Sequence, residues 1–213
     1  MIRRMATVKP RPYRSSIRRG EAPQLVVASA SRLFATKGYL ATSIEDIAAE
    51  AGVARPTVFT AVGTKAVILR HVVDQALAGD DAAVPVAQRE WWRQAVEEPD
   101  PTTSIQLLAR TMTAIGQRIA LIARALEIAA SVDPDAAEVW DRYQRQRRIG
   151  LREFAETLTS RHAAAVRCDV DTLTDTLWML QPAAYLRLVA DAGWTEDRYE
   201  RWLADLITRL VLD

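Results

Sequence analysis

Apolar side chains recur along most of this chain at intervals of three and four residues, the spacing that lines them up on one side of an α-helix. Val26, Val27, Ala30, Leu33 and Phe34 open the series, and Gly38 after Lys37 is a residue suited to stopping it. A second helix begins after Ser43, whose hydroxyl can cap the unpaired amides of a first turn, while Glu45 and Asp46 favour its positive end. It runs to about Ala51. Gly52 supplies a tight turn and Val53 an apolar contact inside it, and Pro56 stands in a first turn, where no amide donor is needed; this third helix ends near Ala61. Thr64 caps a fourth helix with Ile68, Leu69, Val72, Val73, Ala76 and Leu77 on one face, stopping at Gly79-Asp80-Asp81. Breaks at Pro85, Pro99-Asp100-Pro101, Asp133-Pro134 and Gly193-Trp194-Thr195 predict further helices near 86 to 97, 102 to 130, 135 to 163, 171 to 192 and 196 to 211, the second of them dividing near Gly116. Strand-like alternation is nearly absent, so the fold class is all-α.

Composition narrows the function classes. At 213 residues and 49% hydrophobic, the chain can bury one sizeable core, or one core with a small appended domain. Cys168 is the single cysteine, and His71 and His162 stand far apart, so no intrachain disulfide and no metal site is expected, nor any cofactor. There is no glycine-rich phosphate loop and no nucleophile elbow, and Asp80-Asp81 and Glu97-Glu98-Pro99-Asp100 read as solvated loop charges; the chain is not expected to be an enzyme. The longest apolar stretch, Ile119 to Ala130, is broken by Arg124 and Glu127, so no membrane span is expected and the setting is cytoplasmic.

Charge divides the chain. Residues 1 to 70 hold twelve Lys/Arg against four Asp/Glu, and the remainder sixteen against twenty-three, so a basic N-terminal part precedes an acidic body. That distribution suits a protein of which one end meets a polyanion, with a merely solvated basic tail as the alternative. Residues 1–20 hold seven basic residues and no acidic one, a composition that predicts a flexible arm. Arg11, Arg14, Arg18 and Arg19 could follow a nucleic-acid backbone or enter a minor groove.

Ala48, Gly52 and the apolar set Ile47, Val53 and Val58 meet the needs of a helix-turn-helix: a small residue where two helices meet, a flexible turn, and anchors for the second helix. The segment TSIEDIAAEAGVARPTVFTAVGTKAVIL, following LFATKGYLATS, resembles the DNA-binding domain of the TetR family of bacterial repressors over about Leu25 to Leu77. The C-terminal run LWMLQPAAYLRLVADAGWTEDRYERWLADLITRL is similar, more loosely, to the last two helices of many members. The resemblance implies a three-helix DNA-binding domain over 21–70, then a helical-bundle ligand-binding and dimerisation domain over 71–213. Its partners would be double-stranded operator DNA, a small-molecule effector and a second copy of the chain.

In that frame Arg55, at the front of the recognition helix, can bond N7 and O6 of guanine, with a phosphate contact as the alternative. The family usually holds phosphates at the positions of Thr57 and Lys65, although an exposed Lys65 could simply be solvated. Thr42 and Ser43 are candidates for backbone contacts, capping being a full alternative for Ser43; Pro56 and Thr60 face the groove and can touch a thymine methyl. Phe59 stands where the family usually places tyrosine, and Ala61 and Val62 replace larger residues, so a phosphate-bonding hydroxyl is missing. These departures keep open a second reading, a helical binding or scaffolding protein whose helix-turn-helix contacts protein.

One recognition helix reads only a few base pairs, so a dimer is expected on a palindromic site. The resemblance places the dimer interface on the last two helices, where Leu173, Leu177, Leu180, Ala184 and Leu188 form one stripe and Tyr199, Trp202, Leu203, Leu206, Ile207 and Leu210 another; monomer core is the alternative for both. A pocket for a small molecule is likewise implied in the body. Trp92, Met112, Arg124, Glu127, Trp140, Tyr143, Trp178, Gln181 and Tyr185 are its candidate lining, with Arg124 and Glu127 either paired with each other or turned to a polar ligand group. The expected function is a ligand-responsive repressor.

Overall fold

A computed structural model of the chain describes residues 20–79, 88–180 and 182–212. The basic arm, Gln181 and the Asp80–Asp81 and Pro85 break therefore lie outside the described residues, apart from Gly20. Three helices make up the N-terminal part: α1 (Ala22–Lys37), α2 (Ile44–Ala51) and α3 (Arg55–Ala61). Then come α4 (Lys65–Ala78), α5 (Glu90–Glu97), α6 (Pro101–Ala130), α7 (Pro134–Arg161) and α8 (Val170–Met179). A short α9 (Ala183–Tyr185) runs on as a π-helical turn over Leu186–Asp191, and α10 (Glu196–Val211) closes the chain. Among the described residues there is no strand, only one antiparallel bridge between Val166 and Leu212.

The helix starts follow from side-chain caps. Ser43, Thr64, Asp100, Asp133, Asp169 and Thr195 each accept a bond from an amide three residues on, which satisfies one of the orphan donors of a first turn. Pro101 and Pro134 directly follow two of these caps, where their missing amide costs nothing.

Two helices differ from the expectation. α6 does not divide at Gly116 but runs unbroken for 30 residues. A Cβ at Gly116 would stand 2.8 Å from Cδ2 and 2.9 Å from Cγ of Tyr185, so this glycine lets α9 approach α6 rather than ending a helix. Conversely, the helix expected over 171 to 192 stops at Met179 and restarts after Pro182. Proline has no amide to donate, and its ring crowds the preceding turn.

The buried side chains form two cores. The first joins Val26, Phe34, Ile47, Val58, Ile68 and Val72 of α1 to α4 with Ile119, Ile122, Leu126 and Ala129 of α6 and Ala136 and Tyr143 of α7. The second gathers Trp92, Leu108, Met112, Phe154, Leu173, Leu177, Tyr185, Tyr199, Leu203 and Ile207 from α5 to α10. Helices α6 and α7 thus contribute to both. The expected boundary after residue 70 falls inside α4, whose buried face belongs wholly to the first core.

Candidate nucleic-acid interface

The helix-turn-helix is built from buried anchors. Ile47 and Val58 are fully buried, and Ala48 and Val53 nearly so. Gly52 adopts a left-handed conformation, with φ of 69°, that a side chain would strain. Across it the amide of Val53 donates to the Ala48 carbonyl at 3.0 Å. Two ion pairs, Arg32 with Glu50 at 3.1 Å and Lys37 with Asp46 at 3.4 Å, tie α1 to α2.

With Val58 buried, α3 turns the opposite side outward. Pro56 and Thr60 are exposed there, Phe59 and Arg55, the first residue of the helix, are exposed beside them, and Thr57 is half-buried at their flank. The Thr60 hydroxyl donates to the carbonyls of Pro56 and Thr57, both at 3.2 Å, leaving its methyl as the outward feature. Arg55 Nε lies 2.5 Å from Oε1 of Glu45 on α2, and its guanidinium stands 5.4 Å from the centre of the Phe59 ring. Sequence reasoning passed over Glu45, reading it only as a first-turn acid; the signal available was its place ten residues before Arg55 across a tight turn. Val62 packs against the first core, so the smaller residue there fills the interior.

The remaining candidates serve the scaffold. The Ser43 hydroxyl accepts the Asp46 amide at 3.0 Å and donates to Asp46 Oδ2 at 2.9 Å, while the Ser43 amide donates to the same oxygen at 3.0 Å. This reciprocal cap occupies Ser43 and, through those bonds, holds the Asp46 carboxyl below the usual aspartate range. Thr42 is buried, with its hydroxyl donated to the Gly38 carbonyl at 2.8 Å and its amide to Tyr39 at 3.2 Å. Lys65 is not a solvated surface cation: Nζ reaches back to the carbonyls of Tyr39 and Thr42, at 3.0 and 3.1 Å, and lies 4.1 Å from the centre of the Tyr39 ring. Burial lowers its pKa, opposed by the nearby Asp133. Tyr39, 2% exposed, is pushed up to about 12, by burial first and then by Asp133 and Asp135. The turn between α6 and α7 thus stands close to the corner from which α2 starts.

In the body, several expected positions are corrected. Leu173, Leu177, Leu180, Tyr199, Leu203 and Ile207 are buried within the protomer itself, because an apolar helix stripe first covers its own core. Ala184, Leu188, Trp202 and Leu206 remain partly exposed, and Leu210 is exposed. Arg124 and Glu127 face solvent on the outer side of α6 rather than lining an interior, and no ion pair joins them among the described residues. The aromatic candidates are divided: Tyr143 belongs to the first core with Trp140 packed against it, while Trp92, Met112 and Tyr185 belong to the second with Trp178 against it. Arg147, absent from the expected set, links the two groups. Its guanidinium stands 5.3 Å from the Tyr143 ring centre and donates to the Trp178 carbonyl at 2.9 Å. Among the described residues, the Trp92 and Trp178 indole nitrogens and the Tyr199 hydroxyl are buried without a hydrogen-bonding partner, whereas the Tyr185 hydroxyl lies 2.8 Å from Glu196 Oε1.

Comparison with known proteins agrees with this architecture. Residues 26–72 match the family model described as bacterial regulatory proteins, tetR family. No curated protein sequence matches the chain. Among solved structures, a protein of Mesorhizobium loti described as a TetR-family transcriptional regulator is 17% identical, with a TM-score of 0.67, over 93% of this chain and 100% of that one. Another so described, from Syntrophomonas wolfei, is 14% identical with a TM-score of 0.72, over 91% and 96%. A transcriptional regulator of Saccharomonospora viridis, solved in complex with choline, is 18% identical with a TM-score of 0.67, over 91% and 98%. The N-terminal helices thus carry the match to the tetR family of bacterial regulatory proteins, and along its length the chain has the fold of solved structures described as TetR-family transcriptional regulators.

Proposed function

We infer that this regulator binds a palindromic operator as a dimer, represses from it, and is released by a small molecule taken up in the C-terminal helices. The observation that carries the reading is the outer face of α3, where Arg55, Pro56, Phe59 and Thr60 stand exposed over the buried Val58. A rigid helix with an arginine at its front suits the major groove, and two such helices about 34 to 36 Å apart, or a multiple of this, would read a two-fold site. The partly exposed stripe of Trp202, Leu206 and Leu210 on α10 supports pairing of two protomers. Among the described residues the buried donors of Trp92, Trp178 and Tyr199 have no partner, which supports a ligand that brings hydrogen-bond acceptors. Action on DNA would place the protein in the cytoplasm; no helix among the described residues is long and apolar enough to cross a membrane.

Selection of bound duplexes from a random pool tests this reading. A two-fold sequence should be enriched, and its complex should weaken steeply as salt rises, through release of counterions. Arg55→Ala should cost about 1 to 3 kcal/mol and relax one position in each half-site. Failure of the wild-type chain to enrich any sequence would overturn the reading and favour a protein partner for the exposed face.

A further inference from the structure

Arg55 does not stand alone on its face. The Glu45 carboxylate lies against its Nε at 2.5 Å and the Phe59 ring beneath its guanidinium at 5.4 Å, yet the side chains of Arg55 and Glu45 remain 60% and 63% exposed. Such an exposed pair adds little to stability. The scaffold does not need it either, since Gly52, Ile47, Val53 and Val58 already fix α3 against α2. On a surface that meets phosphates, moreover, a carboxylate is repelled, so Glu45 lowers affinity unless it serves another purpose.

We propose that Glu45 is a specificity-determining positioning residue for Arg55. This rests on the DNA-reading role given to α3 above. The carboxylate occupies the Nε edge of the guanidinium and Phe59 supports one of its faces. The two terminal nitrogens are left as the outward edge, and they match N7 and O6 of one guanine end-on. An arginine held in this way loses little rotamer freedom when DNA arrives, and so meets the base at lower entropic cost. The same carboxylate penalises complexes in which Arg55 finds no guanine, because phosphate repulsion is then uncompensated. Phe59, which has no hydroxyl to bond a phosphate, supplies the ring face on which the guanidinium lies.

The test compares the full-length wild type with Arg55→Ala, Glu45→Gln and Glu45→Asp by selection from a random duplex pool. Affinity for a duplex lacking the selected site is measured in parallel at one salt concentration. Arg55→Ala and Glu45→Gln should relax the same guanine position, by about fivefold or more, and leave other positions unchanged. Non-specific affinity of Glu45→Gln should rise roughly severalfold as a repelled charge is removed. Glu45→Asp keeps the charge but draws it back by one methylene, so it should retain weak non-specific binding and still lose part of the guanine preference. Thermal unfolding coincident with wild type shows that the exposed substitutions leave the fold intact. The proposal is overturned if Glu45→Gln leaves the Arg55-dependent position as selective as before, or relaxes a different position, which would make Glu45 a base reader itself. A wild type that selects a site while Arg55→Ala relaxes nothing removes the base-reading role of Arg55, and the proposal with it. A wild type that selects no site overturns the regulator reading instead.

Discussion

Lys65 shows how far a side chain's surroundings can change its role. Its ammonium is committed to the carbonyls of Tyr39 and Thr42 and to the Tyr39 ring, all in the loop from which α2 starts. Lys65→Met keeps the stem but removes the donor from both carbonyls, a loss of about 1 to 3 kcal/mol. Thermal unfolding should fall by roughly 2 to 4 °C for each kcal/mol in a chain of this size. The salt dependence of DNA binding should stay as it was, whereas loss of a phosphate contact would lessen its slope by about one unit. An unchanged unfolding temperature with a shallower slope would restore the phosphate role. The sequence placed Lys65 at the start of α4 and Ser43 at the start of α2 but could not say which way either turned. Local spacing fixes a residue's position on its helix, while the partner that claims a flexible cation is 23 or 26 residues away. Pro56 and Thr60 needed no such information, each standing two residues from the buried Val58 and so on the opposite side of the helix.

Helix ends were legible because their chemistry is local. Asp46, Asp100 and Asp169 each accept bonds at the start of a helix, and those bonds, from Ser43, Thr103 and Thr172, hold the three carboxyls below the ordinary aspartate value of 3.8. A carboxyl whose pKa is lowered by folding stabilises the fold above its unfolded value, and that contribution is lost as pH falls through the folded value. Denaturant midpoints should therefore decline below about pH 4, and Asp→Asn at the three caps should flatten the decline; an unaltered acid limb would show that other groups govern it. Interior breaks were less legible, because they depend on what packs opposite. Gly116 read as a helix end, yet α6 passes through it and the glycine admits Tyr185. Gly116→Ala should destabilise by about 1 to 3 kcal/mol through overpacking, even though alanine is the better helix former by roughly 1 kcal/mol. A higher unfolding temperature would mean that α9 withdraws at little cost. At Pro182 the opposite error arose, since the apolar period continues on both sides of a proline that interrupts the backbone.

On the scale of the molecule, the two cores share α6 and α7, and α4 is held to them at several points. Arg118 of α6 donates to the carbonyls of Ala76 and Leu77 at the end of α4, at 2.9 and 3.3 Å, and Arg142 of α7 pairs with Asp74 at 3.5 Å. Reading the sequence in order suggested a boundary near residue 70, because periodicity cannot reveal that Ile122 and Leu126 pack among residues nearly a hundred positions earlier. Residues 20–79 alone would leave the apolar faces of α1 and α4 without Ile119, Ile122, Leu126 and Ala136. That fragment should lack a cooperative thermal transition, and adding back residues 101–143 should restore one; a sharp transition for the short fragment would show that the first four helices suffice. For anyone recombining regulators, the shared core sets the seam. A chimera cut after α4 would join two half-filled interiors, whereas one that carries the C-terminal half of α6 and the start of α7 with α1 to α4 would move the exposed face of α3 as a working part.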